Sequence, residues 1–195
     1  MIVYGLDIRD FEYAYRVDGP WDPEKGLLFD KKNILLDPYA KAVSGQRTWG
    51  THWDPTYHAR VVKDSFNWGD MPQSKKELCD LIIYELHVRG FTVHESSGVQ
   101  NRGTFAGLME KIPYLRELGI NAVELMPIFE FDETMNAREI NGERLLEYWG
   151  YNTVSFFAPN TSFTSVNEYN REGTELKTLI KALHDNGIEV ILDVV

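Results

Sequence analysis

The sequence is short of cysteine, of basic residues and of long apolar runs, and each shortage excludes something. Cys79 is the only cysteine in 195 residues, so no intrachain disulfide can form and nothing implies an oxidising compartment. With no histidine set beside it, this lone thiol reads as a small packing residue rather than a nucleophile. Lysine and arginine number 20 against 30 aspartates and glutamates, a net charge of -10 at pH 7. That balance argues against nucleic acid or an anionic membrane as partner, because both are held by basic patches that displace counterions. It suits a neutral ligand. No apolar stretch approaches the ~18 residues that cross a bilayer, and the N-terminus has neither the charged nor the apolar segment of a secretion signal. The expectation is a cytoplasmic protein, in which the Asn160-Thr161-Ser162 glycosylation sequon carries no weight.

With 43% hydrophobic and 26% charged residues, the chain can bury a sizeable core. Its most regular stretch runs from Asp80 to Pro127. Leu81 to His87 is short, apolar and β-branched in its first half, as for a strand buried on both faces of a parallel sheet. Phe105, Leu108, Met109, Ile112, Leu115 and Leu118 then recur at intervals of three and four, which predicts one helix, with Thr104 as N-cap and Gly119 as C-cap. Ile120 to Met126 returns as a second strand and Pro127 stops it. A crossover of this length makes a parallel, right-handed βαβ unit. A second helix is predicted from Thr174 as N-cap, with Glu175 in its first turn and Leu176, Leu179, Ile180 and Leu183 on one face. The strand Ile188 to Val195 follows it. Three strands alternating with two helices are the order of an α/β barrel or a doubly wound sheet. An apolar strand with no cap or turn after it is expected to be a truncation.

The other segments are less regular. Met1 to Tyr4 and Phe11 to Val17 alternate like strands, too few to bury a core alone. From Gly19 to Gly69, turn formers mix with aromatics in Trp21-Asp22-Pro23, Leu36-Asp37-Pro38-Tyr39 and Trp53-Asp54-Pro55. This is read as a long ordered linker with Trp21, Trp49, Trp53 and Trp68 as packing anchors, sugar stacking being the alternative. Residues 128–173 read as a long functional loop in which Val154 to Pro159 is extended.

Tyr84-Glu85-Leu86-His87-Val88-Arg89-Gly90-Phe91-Thr92, Gly119-Ile120-Asn121-Ala122-Val123-Glu124-Leu125-Met126-Pro127, Tyr148-Trp149-Gly150-Tyr151-Asn152 and Asp193-Val194-Val195, in this order, resemble the first landmarks of the α-amylase superfamily. The likeness is to its isoamylase and glycogen-debranching members. Tyr15 to Trp21 and Leu36 to Lys41 resemble the join between their N-terminal β-sandwich and their barrel. The resemblance implies an incomplete (β/α)8 TIM barrel. Residues 1–20 would be the last strands of a β-sandwich, glucan-binding-like module, 21–79 a linker packed on the barrel, and 80–195 the barrel up to its third strand. It implies retaining hydrolysis of α-1,6 branch points in glycogen, amylopectin and limit dextrin, by two carboxylates roughly 5 Å apart. In the family those carboxylates lie on later strands, so this chain is expected to contain no catalytic residue and to be inactive alone.

What remains can bind. Tyr151 resembles the tyrosine whose ring stacks on the sugar at the cleavage point, and Trp149 stands where many amylases have histidine. Asp193 would face the site and hold an arginine or a sugar hydroxyl, or else be a buried carboxylate paired for structure. Glu130, Asp132 and Glu133 read as a solvated loop face or groove rim, since no burial that would shift their titration can be inferred. His87 beside Glu85 suggests a metal, but no third ligand stands at suitable spacing, and no cofactor is expected. A branching transferase of the same superfamily would have serine for Tyr148 and glutamine for Asn152. A non-catalytic glucan-binding fragment is the rival from another class. The last strand, left as an open barrel edge, is expected to self-associate.

Overall fold

The computed structural model describes residues 4–9, 11–45, 48–51, 56–63, 65–70, 76–135 and 137–195. Trp53-Asp54-Pro55 and the start of the first expected strand, Met1 to Val3, lie outside the described residues.

In chain order the strands are β1 (Glu12–Tyr13), β2 (Trp21–Asp22), β3 (Leu27–Leu28), β4 (Ala59–Arg60), β5 (Ile83–Leu86), β6 (Ala122–Leu125), β7 (Phe129–Phe131), β8 (Arg138–Ile140), β9 (Glu143–Leu145), β10 (Thr153–Pro159) and β11 (Glu189–Leu192). The helices are α1 (Val88–Thr92), α2 (Phe105–Glu110), α3 (Ile112–Leu118) and α4 (Arg171–Asp185). The βαβ expectation holds: β5, β6 and β11 form a parallel sheet in the order β11-β6-β5. One face of that sheet carries Tyr84, Leu86, Val123, Leu125, Val190 and Leu192 into the main core, under Phe105, Leu108, Leu115, Leu179 and Leu183 of the helices. Strand alternation sends Ile83, Glu85, Ala122, Glu124, Glu189 and Ile191 to the other face. Burial on both faces is therefore not met, since Ile83 keeps 48% of its surface exposed.

Local chemistry explains the joints. Thr104 caps α2 by accepting from the Gly107 amide, and Gly119 ends α3 at a left-handed φ of 83°. Asn121 clamps the entry of β5, accepting from the Ile82 amide at 2.7 Å and donating to the Asp80 carbonyl at 2.8 Å. The single helix expected over residues 105–118 is instead two, because Pro113 has no N–H for the ladder and the chain restarts after Lys111 at φ -92°, ψ 0°. The last helix starts one turn before Thr174. Asn170 takes φ 56° with its amide tied to the Val61 carbonyl, and the helix begins at Arg171. Glu175 is no first-turn residue either. Its buried carboxylate accepts from the Ala106 amide at 2.9 Å and from the Ser165 amide and hydroxyl, so it caps α2 and pins α4 to it.

Two irregular regions prove more ordered than the sequence suggested. β7 pairs with β10 across two irregularities of register, and Asn141-Gly142, at φ 53° and 80°, turns β8 into β9. In the N-terminal part, β1 pairs with β4 and Tyr15 bridges to Leu35. Arg60 reaches Glu12 at 2.6 Å with its own side chain 6% exposed, and its guanidinium lies 4.7 Å over the Tyr169 ring. Ala40, Val43, Tyr57 and Ala59 form a second small core with Ala158 of β10. Trp49 packs as an anchor against Phe131, Tyr148 and Phe163, and Trp68 against Phe66. Trp21 does not, being 63% exposed.

Candidate functional site

The carboxyl ends of β5, β6 and β11 converge with the segment 148–152, and glycines make that convergence possible. A Cβ on Gly90 would come within 2.5 Å of the Tyr148 hydroxyl. Because none is there, the Tyr148 ring stacks on His87 at 4.4 Å between centroids, nearly parallel at 16°. His87 accepts the Gly90 amide on Nδ1 at 3.0 Å, so Nε2 carries the proton and donates to the Tyr148 carbonyl at 2.8 Å. Burial lowers its pKa below the ordinary 6.5, the bond to that carbonyl opposing it and the nearby Arg89 charge adding to it. It is a neutral packing histidine. Among the described residues no group of three histidine, cysteine or acidic side chains is placed to hold a metal.

Gly150 turns the chain at φ 87°, and a Cβ there would sit 2.9 Å from the Phe131 ring and 3.2 Å from Pro127. The turn sends Trp149 and Tyr151 outward, with ring centroids 6.3 Å apart at 67°, exposed by 60% and 37%. Asp193 continues the alternation Glu189, Ile191 on the face away from the helices, and its amide donates to the Leu125 carbonyl at 3.0 Å. Tyr151 donates its hydroxyl to Asp193 Oδ2 at 2.5 Å. This bond, helped by a little burial and by the charges of Asp193, Glu85 and Glu124, pushes the phenol up to about 12, so it stays a neutral donor. The three residues singled out in the sequence thus share one surface, and Asp193 is paired with tyrosine rather than arginine.

The sequence reading missed Glu85 and Glu124. They are register partners on adjacent strands, both facing away from the helices and both close enough to act on Tyr151. The repeated x-Glu-Leu of Tyr84-Glu85-Leu86 and Val123-Glu124-Leu125 was the available signal. The reading of Glu130, Asp132 and Glu133 as a solvated face is overturned, since all three are buried. Glu130 accepts the Thr161 amide at 2.7 Å, and desolvation, only partly offset by that bond, raises its pKa to about 8. Glu133 accepts the Gly50 amide at 2.5 Å, and Asp132 closes an Asx turn by accepting from the Thr134 amide and hydroxyl. These carboxyl groups fasten loops to the core.

Parallel strands joined by crossover helices, with polar side chains gathered at their carboxyl ends, define a partial TIM-barrel-like α/β fold. The chain belongs to the α-amylase family: residues 61–195 match the family described as Alpha amylase, catalytic domain. It is 44% identical over 203 residues to Isoamylase 1, chloroplastic, of Arabidopsis thaliana, covering 97% of this chain and 26% of that protein. It is 35% identical over 199 residues to the glycogen debranching enzyme of Salmonella paratyphi B, covering 94% and 30%. Among solved structures, pullulanase type I from Bacillus subtilis str. 168 complexed with maltose superposes with a TM-score of 0.65 at 30% identity, covering 85% of this chain and 24% of that one. The chain spans about a quarter of the length of the curated isoamylases it matches. No helix among the described residues is long and apolar enough to cross a membrane.

Proposed function

We propose that the protein containing these 195 residues hydrolyses α-1,6 branch points of glycogen and starch glucans with retention, and that this chain builds one wall of its sugar site. The observation that carries the reading is the Tyr151–Asp193 pair. The 2.5 Å bond fixes the phenol and leaves its ring face open beside Trp149, as a sugar platform requires. Asp193 Oδ1 is left to accept a sugar hydroxyl. Neither residue is placed to attack or protonate a glycosidic bond. The nucleophile and the acid/base, about 5 Å apart in a retaining enzyme, are assigned to later strands of a (β/α)8 barrel of which 80–195 forms the first three. Residues 1–20 are assigned to the end of a β-sandwich and 21–79 to a linker, whose packing on the barrel segment is supported by the clustering of Ala40, Val43 and Ala59 with Ala158 of β10.

The partners are glycogen, amylopectin and limit dextrin; the net charge of -10 disfavours nucleic acid and anionic membranes. The lone cysteine supports a cytoplasmic location. Tyr148 speaks against the branching transferase, because a serine could not supply the ring that stacks on His87. The test is proton NMR of products from branched limit dextrin treated with the full-length protein. Loss of the α-1,6 anomeric signal with new α-configured reducing ends is expected. New α-1,6 linkages formed from amylose would overturn the reading in favour of transfer. Retardation in glycogen gels without any turnover would overturn it in favour of a binding module.

A further inference from the structure

Outside the Tyr151 surface the chain has a cavity of about 500 Å³, a size that suits a small ligand, and its lining is amphipathic. Phe66, Phe129 and Phe157 give its lining apolar surface, and the exposed Lys41 and Lys63 line it as well. Phe66 is held edge-on against Trp68 at 4.7 Å, and Phe157 stacks on Tyr39 at 5.9 Å and 19°. In a chain with net charge -10, no carboxylate among the described residues lines this cavity. Lys41 and Lys63 form no ion pair with a described residue, whereas Lys25, Lys31, Lys76 and Lys181 all do. Lys177 lines the cavity as well. The first turn of α4 also lines it; there Asn170 donates Nδ2 to the Val61 carbonyl, its Oδ1 makes no cap to the helix, and Gly173 has open space where a Cβ would be. The ammonium groups of Lys41 and Lys63, which pair with no carboxylate among the described residues, favour an anion. Aromatic faces select a ring or apolar body bonded to that anion.

We propose that this cavity is a second binding site, which takes a phosphorylated sugar with its phosphate between Lys41 and Lys63 and its ring against Phe157. It shares no residue with the Tyr151 surface, so it goes beyond the debranching reading and does not depend on it. The phosphate ester could be a free sugar phosphate or one borne on a glucan chain.

The test is titration of the 195-residue chain with glucose 6-phosphate, read by calorimetry or saturation-transfer NMR, with glucose and inorganic phosphate as controls. Saturable binding of the ester, stronger than either control and weakened by salt, is expected. Reversing both charges in Lys41→Glu/Lys63→Glu should weaken it by about tenfold or more, and the exposed Arg102→Glu by less than about twofold. Gly173→Glu guards against misfolding. An acid suits the first turn of a helix and a Cβ at this position meets no atom within 4 Å, so the melting temperature should hold while affinity for the ester falls. Tighter binding of phosphorylated maltotriose than of glucose 6-phosphate assigns the site to esters on glucan, and the reverse order to free sugar phosphates. No saturable binding, glucose or inorganic phosphate binding as tightly as the ester, or the double variant keeping its affinity would overturn the proposal.

Discussion

Replacing Gly150 with alanine tests the joint on which the proposed sugar platform turns. Two costs can be worked from the structure. At φ 87° an alanine occupies the left-handed region, which costs about 1 to 2 kcal/mol for a residue with a Cβ. The new methyl would also lie 2.9 Å and 3.0 Å from the Phe131 ring and 3.2 Å from Pro127. Phe131 is fully buried, with Trp49 and Phe163 against it, so it cannot swing aside, and overpacking of this kind costs about 1 to 3 kcal/mol. The sum, about 2 to 5 kcal/mol, is a large share of the ~5 to 15 kcal/mol that holds a domain together. The assay is urea unfolding followed by tryptophan fluorescence, with Gly173→Ala as its control. Gly173 is helical and meets no atom, so there alanine should stabilise by about 0.5 to 1 kcal/mol. A Gly150→Ala midpoint equal to the wild type, or a Gly173→Ala midpoint shifted down as far, would refute the reasoning.

Three further outcomes are expected. Tyr151→Ala in the full-length protein should lose about 1 to 3 kcal/mol of transition-state stabilisation, by analogy with other stacking on aromatic platforms, so a kcat/KM within about twofold of wild type would remove Tyr151 from the site. Glu130 has its pKa raised from 4.5 to about 8, so its contribution to stability is complete below pH 4.5 and is lost as pH rises through about 8. Glu130→Gln should flatten that fall in denaturation midpoints measured from pH 5 to 9, and an unchanged slope would contradict the buried, protonated carboxyl. In this chain β5 and β11 are the outer strands of the parallel sheet and Ile83, Val194 and Val195 are exposed, so the 195 residues should self-associate; size-exclusion chromatography showing a stable monomer would contradict this.

The parts of the fold legible in the sequence were those where one signal acts locally. The three and four spacing from Phe105 to Leu118, Thr104 and Gly119 gave the helical face, its cap and its end, and the apolar runs gave three parallel strands. The break at Lys111 was legible in Pro113 but outweighed by the spacing. What could not be read was which distant group a polar side chain would meet. Glu175 looks like a first-turn acid until the fold brings the Ala106 and Ser165 amides to it, and Glu130 looks solvated until Thr161 closes over it. The β8–β9 hairpin had its signal in Asn141-Gly142, where both residues take positive φ. At the site, Tyr151, Trp149 and Asp193 came from resemblance. Glu85 and Glu124 could have come from aligning the two strands.

The measurement that bears most directly on the division between binding and chemistry is reducing-sugar release from amylopectin and pullulan by the purified 195-residue chain beside the full-length protein. Retaining hydrolysis needs a nucleophile and an acid/base about 5 Å apart across the scissile bond. Here Asp193 Oδ2 accepts the Tyr151 hydroxyl, and Glu130 and Glu133 are buried on backbone amides. Release no greater than that of a boiled control from the chain alone, with turnover by the full-length protein, is the expected result. Reproducible release by the chain itself, in a preparation free of host amylases, would contradict it and turn attention to Glu85 and Glu124.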